Sequence, residues 1–327
     1  MAKELKRIIV LTSGGDAPGM NAAIRGVIRS CAYYGIEVYG SVRGYNGLID
    51  NNIIPLSSQS ASNIIQRGGT ILKTARSKGF LTVEGRAEAA ANLKALNIEA
   101  VVAIGGNGTY TGAQIFFEEH GIPMIGIPGT IDNDIWGTDF TLGFDTAVNT
   151  ALDAVDKIRD TADSHDRLFF IEVMGRHSGA IAVDVGIAGG AEAILVPEIH
   201  TDLEHLVQLL EGANRRKKTS MIVIVAEGGD GGGIQKIAET VKERCPYFDI
   251  RVSVLGHLQR GGMPNARDRV LGSRLGYAAV RALREGKTHH AAGIVNNTIH
   301  FCELIEATTN KKEINTNLFT IAEILSY

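Results

Sequence analysis

At 327 residues the chain exceeds the usual size of one core, and 44% apolar residues exclude general disorder, so two domains or one large α/β domain with an inserted lobe are expected. A formal net charge of −3 argues against a nucleic-acid binder steered by global charge. Glycine is the outlier, 39 residues against 7 prolines with no collagen period, which suggests many tight backbone turns.

In chain order, short apolar runs are each followed by small or turn residues and then by a helical pattern. "RIIVLT" (7–12) precedes "SGGDAPG" and the helical "MNAAIRGVIRSCAYYG". "IEAVVAIGG" (98–106) precedes "NGTYTGAQIFFEEHG", and "IPMIGIPG" precedes "TIDND". "DRLFFIEVMG" (166–175) precedes "RHSGAIAVDVGIAGG"; "EAILVPE", "TSMIVIVAEGG" and "IRVSVLGH" follow the same plan. β-rich runs alternating with helices predict an α/β fold of two doubly wound, mostly parallel sheets. In such sheets ligands gather beyond the carboxyl ends of the strands. The polar motifs "TSGGD", "GGNGT", "GTIDND", "VMGR", "AEGGD" and "GHLQRGG" all fall there. Cys31, Cys245 and Cys302 are odd in number and far apart, which fits a reducing compartment and no metal spacing. The apolar run of "MAKELKRIIVLTSGGD" is short for a signal peptide, so a cytoplasmic location is expected.

Two of these turns have the grade of phosphate sites. Gly14 and Gly15 lie between a strand and a helix start, where backbone N–H groups attract anions. The plain alternative is an ordinary connection with Asp16 capping the helix and Pro18 in its first turn. "GGNGT" (105–109) is similar, and neither turn fits a Walker A motif or the dinucleotide fingerprint. "GGDGGG" (228–233) reads as a flexible connection, although it follows a candidate acid, Glu227. In "IPGTIDND" (127–134), Asp132 and Asp134 suit a hydroxyl that must lose a proton and a bound Mg²⁺; a capped turn is the alternative. Arg76, Arg167, Arg176, Arg251 and Arg260 lie in or beside Gly-rich or strand-end segments. Guanidinium forks bind phosphate oxygens bidentately, so several of them suggest a substrate with more than one phosphate. His257 alone is weak, and the basic run 215–218 suits a helix C-terminus.

Taken together, "LTSGGDAPGMNAAIRG", "PGTIDNDI.GTD", "VMGR.SG", "VPE" and "VLGH.QRGG.P..RDR" resemble the bacterial ATP-dependent 6-phosphofructokinase family, over nearly the whole chain and in the family's order. The resemblance implies transfer of the ATP γ-phosphoryl group to O1 of fructose 6-phosphate. It implies Asp132 as general base, with Thr130 and Asp134 in the same loop and Asp134 linked to Mg²⁺. Arg76 and Arg176 would stabilise the transferring group. Gly15, Arg76, Ser77 and the turn Gly106, Asn107, Gly108, Thr109 match the nucleotide site. Thr130, Asp132, Met174, Gly175, Arg176, Glu227, His257 and Arg260 match the sugar-phosphate site. Arg167 and Arg251 match arginines lent across a subunit interface, which implies a homotetramer. Residues 1–143 plus 259–308 would form a larger, ATP-binding domain, and 144–258 plus 309–327 a smaller, sugar-phosphate-binding one.

The chain also departs from the family pattern. Asn107 stands where the family usually has Asp, and it offers Mg²⁺ an oxygen without the charge. A catalytically weakened or a regulatory paralogue is therefore the alternative reading. Pyrophosphate-using relatives carry Asp and Lys where this chain has Gly108 and Gly129, so ATP is favoured. Arg25, Arg29, Arg159, Glu192, Arg216 and Lys218 match an effector site for ADP or phosphoenolpyruvate. Ser58 and Asn63 replace an Arg and an Asp of well-regulated members, so an altered effector pocket is expected.

Overall fold

The computed structural model describes residues 5–326. The chain divides into two compact units: Met1–Ile131, Ile135–Asp145 and Arg260–Lys312 form the first, and Asp132–Asp134, Thr146–Gln259 and Glu313–Tyr327 the second.

The first unit contains β1 (Arg7–Thr12), α1 (Met20–Tyr34), β2 (Glu37–Ser41), α2 (Tyr45–Ile49), β3 (Ile53–Leu56), α3 (Val83–Ala95), β4 (Ala100–Gly105), α4 (Asn107–His120) and β5 (Met124–Pro128). Helix α5 (Phe144–Asp163) begins in this unit and continues in the second. The second unit runs through β6 (Arg167–Val173), α6 (Ala180–Ala188), β7 (Ala193–Leu195), α7 (Leu203–Arg215), β8 (Met221–Ala226), α8 (Ile234–Arg244) and β9 (Asp249–Val254). The chain then returns to the first unit with α9 (Ala266–Arg284), β10 (His290–Val295), β11 (Thr298–Glu303) and α10 (Leu304–Thr309), and ends in the second with α11 (Asn317–Ser326).

The first unit's sheet has the order β11-β10-β5-β4-β1-β2-β3. Its centre is parallel, and β3 and β11 add antiparallel edges. Strands β1 and β4 are fully buried apart from Arg7, as expected of strands covered on both faces. Successive connections leave β1 in opposite directions, so the β1–β4 crevice is the topological switch point of this sheet. The core under it joins Leu11, Val101, Ala103, Tyr110 and Phe116, with Tyr45 stacked on Phe80 at 3.9 Å. The second unit's sheet, β7-β8-β6-β9, is parallel throughout and packs Phe170, Val223 and Val225 against Leu206, Leu210, Ile237 and Val241. Among the described residues, no helix is long and apolar enough to cross a membrane.

Candidate active site

In the first unit, the turn after β1 lies at the switch point and is tied to its neighbours by the backbone. Ser13 N–H donates to the Ile104 carbonyl at 3.0 Å, and Thr109 Oγ1 donates to the Ser13 carbonyl at 3.2 Å. Gly14 takes φ +87°, a conformation that glycine reaches without steric cost. Its N–H donates to the Ala75 carbonyl at 3.3 Å, and its own carbonyl accepts Thr74 Oγ1 at 2.9 Å. The β1 turn, the β4 turn and the segment leading to Arg76 are thus one hydrogen-bonded set. Helix α1 starts at Met20, after an N-cap Gly19 at φ +99° with no capping side chain. The alternative in which Asp16 caps the helix and Pro18 opens it is therefore corrected. A glycine able to turn left-handed ends the turn later, and Asp16 instead offers its carbonyl to Arg260 Nη1 at 3.3 Å. Arg260 lies against the same turn, 2.8 Å from where a Cβ on Gly15 would be.

Helix α4 starts at Asn107 behind Gly106, which supplies no capping side chain. Amides at such a helix start, with the positive end of the macrodipole, favour an anion. A Cβ on Gly108 would meet nothing within 4 Å, whereas one on Gly129 would sit 2.9 Å from Ile104 Cγ2 and 3.0 Å from Met20 Cε. Residue 108 therefore faces open space and 129 a packed wall. Thr130 is buried, and its carbonyl accepts Thr141 Oγ1 at 2.6 Å. Arg76 is exposed, and the neighbouring Ser77 Oγ accepts Phe80 N–H at 3.1 Å.

In the second unit, Asp132 is 5% exposed on a turn whose centre, Asn133, is left-handed (φ +51°); Asp134 is half-buried. Asn tolerates that conformation better than most residues. Beyond β6 come buried Met174, then Gly175 and an exposed Arg176, itself left-handed at φ +55°. Such a backbone persists only where its surroundings enforce it. Glu227, just beyond β8, does so: its Oε1 accepts Arg176 N–H at 2.8 Å and Gly175 N–H at 3.3 Å. Gly228, at φ +84°, completes the clamp, because a Cβ there would overlap the Arg176 carbonyl oxygen. Glu172, at the end of β6, is half-buried, and its carboxyl is pushed up by burial and then by the Glu227 charge. His257 lies exposed in the 3₁₀ turn after β9.

Arg167 and Arg251 do not join that group within one chain. Arg167 opens β6, six residues before Val173, or roughly 20 Å at the strand rise. Both arginines hold Asp249: Arg167 Nε at 2.8 Å and Arg251 Nη1 at 2.8 Å. The hydrogen bond from Arg167, with the Arg251 charge, lowers the Asp249 pKa. Arg159, Glu192 and Lys218 do converge. Glu192 is 3% exposed and ion-paired with Lys218; Arg159 bonds the Gly189 and Gly190 carbonyls beside it. Burial pushes the Glu192 carboxyl up against the pull of Lys218. Arg216 Nη2 reaches the Ser326 carbonyl at 3.4 Å. In the first unit, Arg25 is half-buried and Arg29 Nη1 donates to Ser58 Oγ at 2.6 Å.

Some structural partners of this site escape sequence reasoning. Glu198 accepts Gly179 N–H with both oxygens, at 3.0 and 3.1 Å, at the start of α6. Buried Asn21 bonds the backbone of segment 67–71. Both sit inside motifs quoted above, Glu198 closing "VPE" and Asn21 within "LTSGGDAPGMNAAIRG", but neither motif says what its side chain binds. Among the described residues, no group of three or more His, Cys, Asp or Glu could hold a metal.

The family model described as phosphofructokinase matches residues 7–283, most of the chain. The chain belongs to the phosphofructokinase family. Among curated phosphofructokinases, ATP-dependent 6-phosphofructokinase 1 of Thermus thermophilus is 56% identical over 322 residues, covering 98% of this chain and all of the relative. The ATP-dependent 6-phosphofructokinase of Bacillus subtilis is 53% identical with the same coverage. Among solved structures, phosphofructokinase from Saccharomyces cerevisiae superposes with a TM-score of 0.88 at 35% identity, over 93% of this chain. This chain spans 45% of the yeast chain's length. A pyrophosphate-dependent phosphofructokinase from Marinobacter aquaeolei superposes with a TM-score of 0.84 at 26% identity, over 96% of this chain and 86% of that one. The two parallel-sheet units are the phosphofructokinase fold.

Proposed function

We propose that this chain transfers the γ-phosphoryl group of ATP to O1 of fructose 6-phosphate, giving fructose 1,6-bisphosphate and ADP, a step of glycolysis. The observation that carries the reading is full-length identity above 50% to curated ATP-dependent 6-phosphofructokinases, on a chain that keeps Asp132, Arg76 and Arg176.

Phosphoryl transfer needs positioning and electrostatic stabilisation more than covalent help. Asp132 takes the proton of the sugar's O1 hydroxyl. The Arg76 and Arg176 guanidiniums bear the charge of the transferring group. The turn at Gly15 and the α4 start at Gly106, Asn107 and Gly108 offer backbone amides to the nucleotide phosphates, beside Thr109, Arg76 and Ser77. Thr130, Met174, Gly175, Glu227, His257 and Arg260 orient the sugar phosphate. The nucleotide residues all belong to the larger, ATP-binding domain proposed for 1–143 plus 259–308, and most sugar-phosphate residues to the smaller one, 144–258 plus 309–327, with Thr130, Asp132 and Arg260 contributed by the larger.

Oxygen donors on Asn107 and Asp134 suit Mg²⁺, an ion commonly held by one or two protein oxygens together with substrate phosphates. Bound there, Mg²⁺ would neutralise phosphate charge. The reach of Arg167 and Arg251 away from Arg176 supports donation to a neighbouring copy in a homotetramer. Arg159, Glu192, Arg216 and Lys218 in the second unit, and separately Arg25 and Arg29 in the first, match family positions that bind ADP or phosphoenolpyruvate at a subunit interface. A cytoplasmic location follows from the glycolytic role.

Pyrophosphate as donor is the second reading. Gly108 weighs against it, because its open side leaves room for the rest of ATP, and Gly129 because a lysine there would displace Ile104 and Met20. Coupled assays with each donor test this, and activity with pyrophosphate alone would reverse the assignment. For the chemistry itself, Asp132→Ala is expected to cut kcat by about 10²–10⁴-fold while sugar-phosphate binding persists. Near-normal turnover in a folded variant removes Asp132 as the base.

A further inference from the structure

The segment carrying Arg76 has no regular structure from residue 67 to 76, so no ladder sets its position. Side chains from elsewhere in the first unit do. Asn21, in the first turn of α1 and 1% exposed, donates Nδ2 to the Arg67 carbonyl at 3.0 Å and the Gly68 carbonyl at 3.2 Å. Its Oδ1 accepts Ile71 N–H at 2.8 Å. Thr12 Oγ1 donates to the Lys73 carbonyl at 2.8 Å and lies 3.0 Å from Thr70 Oγ1. Thr74 then hooks the segment to Gly14. Arg76 follows two residues later, and its position is inherited from these ties.

We propose that Asn21 is a positioning residue for Arg76. Its amide satisfies two carbonyls and one N–H at the start of the loop, upstream of the ties at Leu72, Lys73, Thr74 and Ala75. It thereby fixes the point from which the guanidinium reaches the transferring phosphoryl group. The inference rests on the reading of Arg76 given above. It names a residue that does not touch substrate, whose loss displaces a group that does. An offset of about 1 Å in such a group can cost about 10²-fold in rate.

The informative substitution is Asn21→Asp. It keeps an acceptor for Ile71 N–H but turns carboxylate oxygen toward two carbonyls. With fructose 6-phosphate, ATP and Mg²⁺, kcat is expected to fall about 10²-fold with the KM for fructose 6-phosphate unchanged, since the lost interaction belongs to the transition state. In the double variant Asn21→Asp with Arg76→Ala, kcat is expected to match Arg76→Ala alone, because two residues acting as a unit are not additive. A purely structural role would instead multiply the two losses, and that result overturns the proposal. So does wild-type kcat in a folded Asn21→Asp protein. If that variant does not fold, Thr74→Val, which cuts the tie to Gly14, carries the same expectation and the same cycle with Arg76→Ala. If Arg76→Ala alone leaves kcat intact, the reading of Arg76 falls first and the proposal with it, a result distinct from failure of Asn21 alone.

Discussion

The two candidate half-sites are held by different means. In the first unit, the β1 turn, the β4 turn and the Arg76 segment are joined by several backbone and hydroxyl bonds, to which Asn21 adds the ties of residues 67–71. In the second, one carboxylate, Glu227, and one glycine, Gly228, hold a left-handed Arg176. Ties from several elements suit a cradle for the nucleotide phosphates proposed above. A donor competing for Glu227 would loosen the hold on Arg176, while Ser178 N–H keeps its bond to the Gly175 carbonyl at 2.9 Å. A sugar hydroxyl offered to Glu227 would be such a donor, because the carboxylate that would orient the sugar is the one holding the arginine.

That contrast can be broken first at Gly228. Gly228→Ala drives a methyl group into the Arg176 carbonyl, so the loop must move, and a loss of about 10²-fold in kcat is expected. A folded Gly228→Ala protein with normal kcat would show that the Arg176 loop tolerates displacement. The first unit is probed at Asn107, where the cradle is built but lacks a charge. Asn107→Asp should lower the half-saturating Mg²⁺ concentration, on the order of tenfold for one added charge close to a cation. An unchanged Mg²⁺ titration would place the ion elsewhere. The smallest effect concerns Glu172. Its folded pKa lies above the ordinary carboxylate value, so its stability contribution is lost as pH rises from that value through the raised one. Glu172→Gln should therefore gain thermal stability at neutral pH and none at pH below the ordinary value. The gain should be below about 1 kcal/mol, because the group is only partly screened from solvent. A gain of equal size in acid would assign the effect to packing.

The fold class was legible because buried parallel strands read as unbroken apolar runs, and because the glycine turns mark their carboxyl ends. The antiparallel edge was not. β10 and β11 turn through Asn296 and Asn297, both left-handed (φ +49° and +60°), a hairpin signal hidden behind two asparagines without glycine. Within the site, the residue types at strand ends were readable, but their ties were not. Asn21 meets partners 46 to 50 positions away, a relation no local pattern encodes. The run "DRLFFIEVMG" does set Arg167 a strand's length from Arg176, but nothing in it reveals that Arg167 and Arg251 share Asp249.

Helix α1 grips one stretch of chain at two points. Arg29 holds Ser58 near its beginning and Asn21 holds residues 67–71 near its end, eight positions apart, or about 12 Å along the axis. The helix acts as a splint whose outer knot is a charged group bound to a neutral hydroxyl. Any phosphate that binds Arg29 must compete with that knot, and untying it would leave residues 67–71 to Asn21 and residues 73–75 to Thr12 and Gly14.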